Sequence, residues 1–286
     1  MSARSAYQDF WNRVGAEFPD LAGAASTRYY TDNERRLFRD HFPPLQGLRV
    51  LKTDLWDEAK NTRILAWAAE HGASAWGIDL SAPTVRQARA AFATNPLHGV
   101  QADVRDIPFA DNSFDAIYSM GTIEHFDETE RAVAEMARVL KPGGRAIIGV
   151  PNRHDPFLRP LFVEALYAVG AYGYGFEKSY SRRSLREMLE RAGLTVIDET
   201  AILFVPGWLR MLDLACHTWM RPLSIFTGAL VWPFVFLDRH VPAVRRHGYL
   251  LATVVTKPAT FPTAPATPVD PPAPPTPSSS SGDARR

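Results

Sequence analysis

HGVQADVRDIPFADNSFDAIYSMGTIEHFDETERAVAEMARVLKPGGRAIIGVPN, residues 98–152, is the stretch whose reading decides the fold. A short run at residues 114–119, with Ala116, Ile117 and Tyr118, follows the turn formers Asp111-Asn112-Ser113 and reads as a buried strand. Val133, Met136, Ala137 and Leu140 then recur at helical spacing, so residues 130–140 are expected to be a helix. Asp127, three residues before Glu130, resembles the start of a capping box. Lys141-Pro142-Gly143-Gly144 is expected to end the helix as a turn, because proline cannot extend it and glycine tolerates the left-handed region. Residues 146–150 are almost wholly apolar, as in a strand covered on both faces of a parallel sheet. Strand, helix, strand implies a right-handed crossover, and ligands of such sheets sit beyond the carboxyl ends of the strands. Those ends carry Asp103, residues 119–125 and Pro151-Asn152.

On these residues the stretch resembles the class I S-adenosylmethionine-dependent methyltransferases, in particular the "type 11" branch that acts on small molecules and lipids. The resemblance is carried by Asp103, Ile107-Pro108-Phe109, Asp111, Ser113-Phe114-Asp115, Glu124-His125, the run Arg138-Val139-Leu140-Lys141-Pro142-Gly143-Gly144, and Val150-Pro151-Asn152. It is strong over about the middle fifth of the chain and looser over residues 45–257. It implies a Rossmann-like, doubly wound α/β fold, with a mostly parallel seven-stranded sheet completed by an antiparallel last strand at residues 249–256. It also implies S-adenosylmethionine as cofactor and methyl transfer to a small-molecule or lipid-like acceptor. The alternative is a catalytically inactive methyltransferase fold that serves as a binding or membrane-peripheral protein.

One departure from the family stands at the first strand, residues 48–55. The family follows that strand with an acidic residue and a glycine-rich loop, where bare backbone approaches the cofactor. Here the chain reads Lys52-Thr53-Asp54-Leu55-Trp56-Asp57-Glu58-Ala59-Lys60-Asn61-Thr62, without a glycine. Asp54 is the candidate for the cofactor's ammonium, with Thr53, Glu58 and Asn61 as further polar contacts. By resemblance, Asp79 at the end of the second strand would take the ribose hydroxyls. Asp103 would accept from the adenine amino group, and the Val104 N–H would reach a ring nitrogen. Ser119 is placed with the cofactor-binding residues at the end of the fourth strand. Ile107-Pro108-Phe109 reads either as the wall of the adenine slot or as turn packing. His125, with an ordinary pKa near 6.5, is a candidate base or acceptor-binding residue, and Glu124 an acceptor for backbone donors.

Working outward, residues 1–46 interleave aromatics with charges and are expected to form an N-terminal helical cap over the site, with Tyr29 and Tyr30 as candidate contacts. Residues 47–257 form the expected methyltransferase domain, with acceptor-side insertions at 151–180 and 201–240. The first insertion is rich in aromatics and glycines. The second holds PLSIFTGALVWPFVFL, residues 222–237, which has no charge, contains Pro233 and is flanked by arginines and tryptophans. It is short for a membrane span. It reads either as a buried cap or as a surface for peripheral membrane contact across residues 208–237. Residues 258–286, rich in Pro, Ser, Thr and Ala, are expected to be a disordered tail.

Composition excludes several classes. A net charge of +1 gives no long-range field for nucleic acid. The single Cys216 rules out an intrachain disulfide and a multi-cysteine metal site, and no metal cluster is visible. The first residues hold no apolar signal core, so the expected location is cytoplasmic, with membrane association open. No Gly-x-Gly-x-x-Gly follows the first strand, which argues against a nicotinamide or flavin cofactor.

Overall fold

The computed structural model describes residues 3–92 and 96–259. The expected tail therefore lies, from residue 260 onward, outside the described residues. Seven strands form one sheet: β1 (Arg49–Lys52), β2 (Ser74–Asp79), β3 (His98–Gln101), β4 (Phe114–Met120), β5 (Leu140–Pro151), β6 (Thr195–Ile202) and β7 (Leu250–Thr256). Their order is β3-β2-β1-β4-β5-β7-β6. The first five pair in parallel, and β7 runs antiparallel between β5 and β6. This is the doubly wound, mostly parallel sheet expected from residues 98–152.

Ten α-helices flank it: α1 (Ala3–Glu17), α2 (Ala25–His41), α3 (Trp56–Lys60), α4 (Ile64–Glu70), α5 (Ala82–Ala90), α6 (Thr129–Val139), α7 (Arg159–Ala168), α8 (Arg182–Arg191), α9 (Gly207–Trp219) and α10 (Ser224–His240). One face of the sheet packs Val50, Ala116, Tyr118 and Ile147 against Leu37 and Phe38 of α2, Leu65 and Ala68 of α4, and Val85 of α5. The other face packs Leu51, Ile117 and Ile148 against Val133 and Met136 of α6 and Leu185 and Leu189 of α8. Successive residues of one strand thus serve opposite layers, which is the period-two rule of a pleat covered on both sides.

Two local expectations change. Asp127 does not cap α6: no side chain caps that helix, and Asp127 instead pairs with Lys178 at 2.7 Å. The Lys141-Pro142-Gly143-Gly144 turn lies inside β5 as a bulged excursion. Leu140 pairs with Phe114, and the register resumes only at Ala116 with Arg145. Gly143 holds a φ of 76°, the left-handed value that its lack of a Cβ permits.

The residue 201–240 region is two helices. α10 lays Thr227, Val231 and Asp238 against the body of the protein. Asp238 receives Arg36 of α2 at 2.6 Å. The opposite side of α10 is not a buried cap: Ile225 is 77% exposed, Phe226 68% and Trp232 62%, and Trp219 before it is 76%. Among the described residues, no helix is long and apolar enough to cross a membrane.

Candidate active site

A cavity of about 220 Å³ runs over the carboxyl ends of β1, β2 and β4. Its sheet side is formed by Thr53, Asp54, Asp79, Val104, Met120 and Gly121. Its roof comes from Tyr7 and Trp11 of α1, Tyr30 of α2, Phe162 and Val163 of α7, and Arg210, Met211 and Leu214 of α9. Both halves belong to one continuous space.

The chain leaves β1 through a buried polar cluster. Lys52 is fully buried, and its Nζ bonds Asp54 Oδ1 at 3.1 Å and lies 3.7 Å from Asp57 Oδ2. Burial opposes its charge, but Asp54, Asp57, Glu58 and Glu34 around it hold it charged, far above the ordinary lysine range. Thr122 donates to Asp54 Oδ2 at 2.9 Å. Leu55 tucks over β2, where a Cβ on Gly77 would come within 2.4 Å of its Cδ2. No residue between 53 and 61 has a positive φ, so no position of the loop requires glycine; the next positive φ along the chain is at Arg63. Thr53, Asp54 and Asn61 face the cavity. Glu58 does not: it turns to the start of α4 and accepts from the Leu65 and Ala66 N–H groups.

Asp79 ends β2 on the cavity wall. Its Oδ2 accepts from Leu55 N at 2.9 Å and its Oδ1 from Ser81 N at 2.7 Å. Burial pushes its carboxyl up to about 7, against those two donors. Asp103 and Val104 also line the wall. The Asp103 carboxylate is clasped by Arg105, with Nη2 at 2.7 Å and Nε at 2.9 Å. Ser119 corrects an expectation. It is fully buried, its hydroxyl has no hydrogen-bond partner, and it does not line the cavity. Alternation along β4 points it to the layer of Ile117, while its neighbours Met120 and Gly121 reach the cavity. Ile107 and Phe109 stay outside the cavity too; Phe109 packs edge-on to Trp76 and Phe114, which is turn packing.

His125 borders the cavity beside Trp11, ring centroids 5.0 Å apart. Its Nδ1 meets the Phe176 carbonyl at 2.9 Å. A carbonyl only accepts, so Nδ1 carries the proton and Nε2 keeps a lone pair. Burial pushes the imidazole below its ordinary value, against Glu177. Glu124 is buried, with Oε2 unpartnered, and burial with the nearby Glu177 charge raises its carboxyl well above the usual range. In the roof, Arg159 makes a buried ion pair with Glu177 and also donates to Tyr172 Oη at 3.3 Å. Burial disfavours the Glu177 charge, yet Arg159 and Tyr172 hold it below the ordinary carboxylate range.

A family model described as a methyltransferase domain matches residues 59–148. The chain is 31% identical over 165 residues to an O-methyltransferase of Penicillium expansum, covering 56% of each chain. It is 32% identical over 144 residues to a ubiquinone biosynthesis O-methyltransferase of Methylobacterium nodulans, covering 48% of this chain and 57% of that one. Residues 59–148 thus match the methyltransferase-domain family, and the chain is similar to O-methyltransferases over longer stretches than that segment. The chain spans little more than half the length of those two curated relatives. Its fold is shared with magnesium protoporphyrin IX methyltransferase of Synechocystis, solved with bound S-adenosylhomocysteine (SAH). That likeness has a TM-score of 0.55 at 13% identity and covers 90% of this chain and 100% of that one. The cofactor of the family is S-adenosylmethionine.

The family match begins at residue 59, inside the glycine-free stretch 52–62. Tyr7 and Trp11 come from the expected N-terminal cap, whereas Arg159, Glu177, Arg210 and Tyr249 line the cavity without having been site candidates in the sequence. By sequence Arg210 is one of the arginines that flank the apolar segment 222–237. A signal was present, since Arg210 and Asp213 stand three apart in an otherwise apolar helix and so share one face. Both are buried, and Asp213 accepts from Ser26 N at 2.7 Å at the start of α2.

Proposed function

We propose that the protein transfers the methyl group of S-adenosylmethionine to a small-molecule or lipid-like acceptor held in the aromatic half of the cavity. The observation that carries this reading is the continuity of the space from Asp79, Met120 and Gly121 to Phe162, Tyr172 and Tyr174. The residues present fit the cofactor. Asp79 spends one lone pair of each oxygen on a backbone N–H and keeps others for ribose hydroxyls. Asp54, on the cavity wall, offers a carboxylate to the ammonium. Asp103 and Val104 supply the adenine end, where Arg105 orients the Asp103 carboxylate.

The cofactor brings a methyl group already activated on a positive sulfur, so the protein's task is positioning and exclusion of water. Trp11, Trp56 and Tyr30 give that half of the cavity aromatic walls, which favour a cation. His125, with Nε2 unprotonated, is suited to take a proton from an acceptor hydroxyl. The exposed apolar side chains of α9 and α10, with Arg221 and Arg239 beside them, suit peripheral contact with a membrane from which a lipid-like acceptor would be drawn.

Isothermal titration with SAH tests the donor site. Binding is expected, and Asp79→Ala should weaken it by about tenfold or more, as expected when charge-assisted hydrogen bonds are lost. The alternative is a fold that binds without transferring, and it draws on the glycine-free turn after β1, where the family carries a glycine-rich loop. Incubating extracts with isotopically labelled S-adenosylmethionine separates the two: SAH binding without any labelled product supports the alternative.

A further inference from the structure

The cavity contains two arginines in different states. Arg159 is saturated by Glu177 and Tyr172. Arg210, on the first turn of α9 and 93% buried by its 7% exposure, forms no ion pair among the described residues. Its guanidinium donates one hydrogen bond, Nη1 to the Ser26 carbonyl at 3.2 Å. The group stands 5.2 Å from the Tyr30 ring and 5.9 Å from the Tyr249 ring. Among the described residues, the hydroxyls of Tyr174 and Tyr249 make no hydrogen bond, and both residues face the same cavity. Asp57, the carboxylate whose charge reaches Arg210, is already held by Asn61 at 2.7 Å.

A buried cation with donors to spare is costly unless an anion meets it. Guanidinium and phenol donors converging on one space are the set that recognises a planar oxyanion. Resting on the methyl-transfer reading above, we propose that Arg210, with Tyr174 and Tyr249, forms a subsite for a carboxylate on the acceptor. The acceptor is then an amphiphilic acid: its apolar body lies against Phe162, Val163, Met211 and Leu214, and its carboxylate meets Arg210. Neutral molecules of the same shape leave Arg210 buried without a partner, so the subsite discriminates by charge.

Matched probes test this: benzoate against benzamide, cinnamate against cinnamamide, and decanoate against decanamide, titrated calorimetrically with and without SAH. In wild type at least one carboxylate should bind about tenfold tighter than its amide. Arg210→Gln should abolish that preference while leaving the affinity for SAH within about twofold of wild type. Tyr174→Phe and Tyr249→Phe keep the rings and should each reduce the preference severalfold; they carry the test if circular dichroism shows Arg210→Gln unfolded. No carboxylate preference in any pair overturns the proposal. So does an Arg210→Gln protein that loses SAH affinity but keeps that for 5′-methylthioadenosine, since the anion is then the cofactor's own carboxylate. A wild type that prefers the carboxylates yet fails to bind SAH supports this subsite and sinks the donor site instead.

Discussion

Asp79 combines two demands that pull its proton in opposite directions. Burial favours the neutral acid, with a pKa of about 7, whereas ribose hydroxyls are best accepted by the carboxylate. Glu58, buried under α4, is likewise pushed up to about 7. A carboxyl whose folded pKa is raised binds more protons folded than unfolded. Its stabilising contribution is full below the unfolded pKa and is lost as pH rises through the folded one. The free protein should therefore lose stability between pH 5 and pH 8 in urea titrations. His125, whose pKa is lowered, opposes this, but it is one group against several, since burial raises Glu34, Asp57 and Glu124 as well. Over the same window SAH should bind severalfold tighter, because Asp79 becomes the better acceptor. A flat affinity profile would remove Asp79 from the ribose site. His125 offers a separate check. Long-range nitrogen–proton correlation spectra should show the Nδ1–H tautomer titrating below 6.5, and an Nε2–H tautomer would exclude it as a base. Asp79, Asp103, Val104 and His125, named through the family resemblance, all border the cavity, because the strands whose ends precede them announce themselves by pattern. Ser119 was misplaced by one step of the pleat, and Glu58 by a contact with a helix start that no local pattern encodes.

Among the elements, the glycine-free turn after β1 is the most informative. Families that use glycine there bring bare backbone to the cofactor; here closeness is moved to β2, where Gly77 leaves room for Leu55, with Gly99 of β3 in ordinary contact beyond it. Leu55 in turn points its N–H at Asp79. Gly77→Val should displace Leu55, destabilise the protein by roughly 1–3 kcal/mol as overpacking does, and weaken SAH binding through the lost contact to Asp79. Chemical denaturation and calorimetry read the two effects. Unchanged SAH affinity in a folded Gly77→Val protein would show that the loop position does not matter to the site. None of this was visible along the chain, because the compensating glycines lie more than twenty residues from the loop they accommodate. By contrast α6 and the core of β5 were legible from local apolar spacing. The misread boundary between them, where Lys141-Pro142-Gly143-Gly144 bulges within β5, was decided by sheet pairing to Phe114 and Ala116.

At the scale of the molecule, charge is nearly balanced and the asymmetry is one of polarity. Trp208, Trp219, Ile225, Phe226, Leu230 and Trp232 expose large apolar surfaces on α9 and α10. Leu158 and Leu161 do so around α7. α7 and α9 also supply Phe162, Val163, Met211 and Leu214 to the cavity roof, so the wet side of the same helices is apolar and the acceptor chamber opens beneath it. The sequence marked residues 222–237 as apolar but could not say which way the side chains turn. That is set by the docking of Val231 and Asp238 onto α2, with Arg36 fixing Asp238, and by Thr227 donating to Asp213 of α9 at 2.7 Å. An apolar face of this kind flanked by arginines is expected to settle in the interface of an anionic bilayer. The protein should therefore co-sediment with phosphatidylglycerol vesicles and less with phosphatidylcholine ones. The triple substitution Ile225→Glu, Phe226→Glu, Trp232→Glu should leave it in the supernatant with SAH affinity intact, since none of the three lines the cavity. If wild type ignores both vesicles but gains mass with concentration in lipid-free ultracentrifugation, the face joins two copies of this chain, and the acceptor enters the chamber from water.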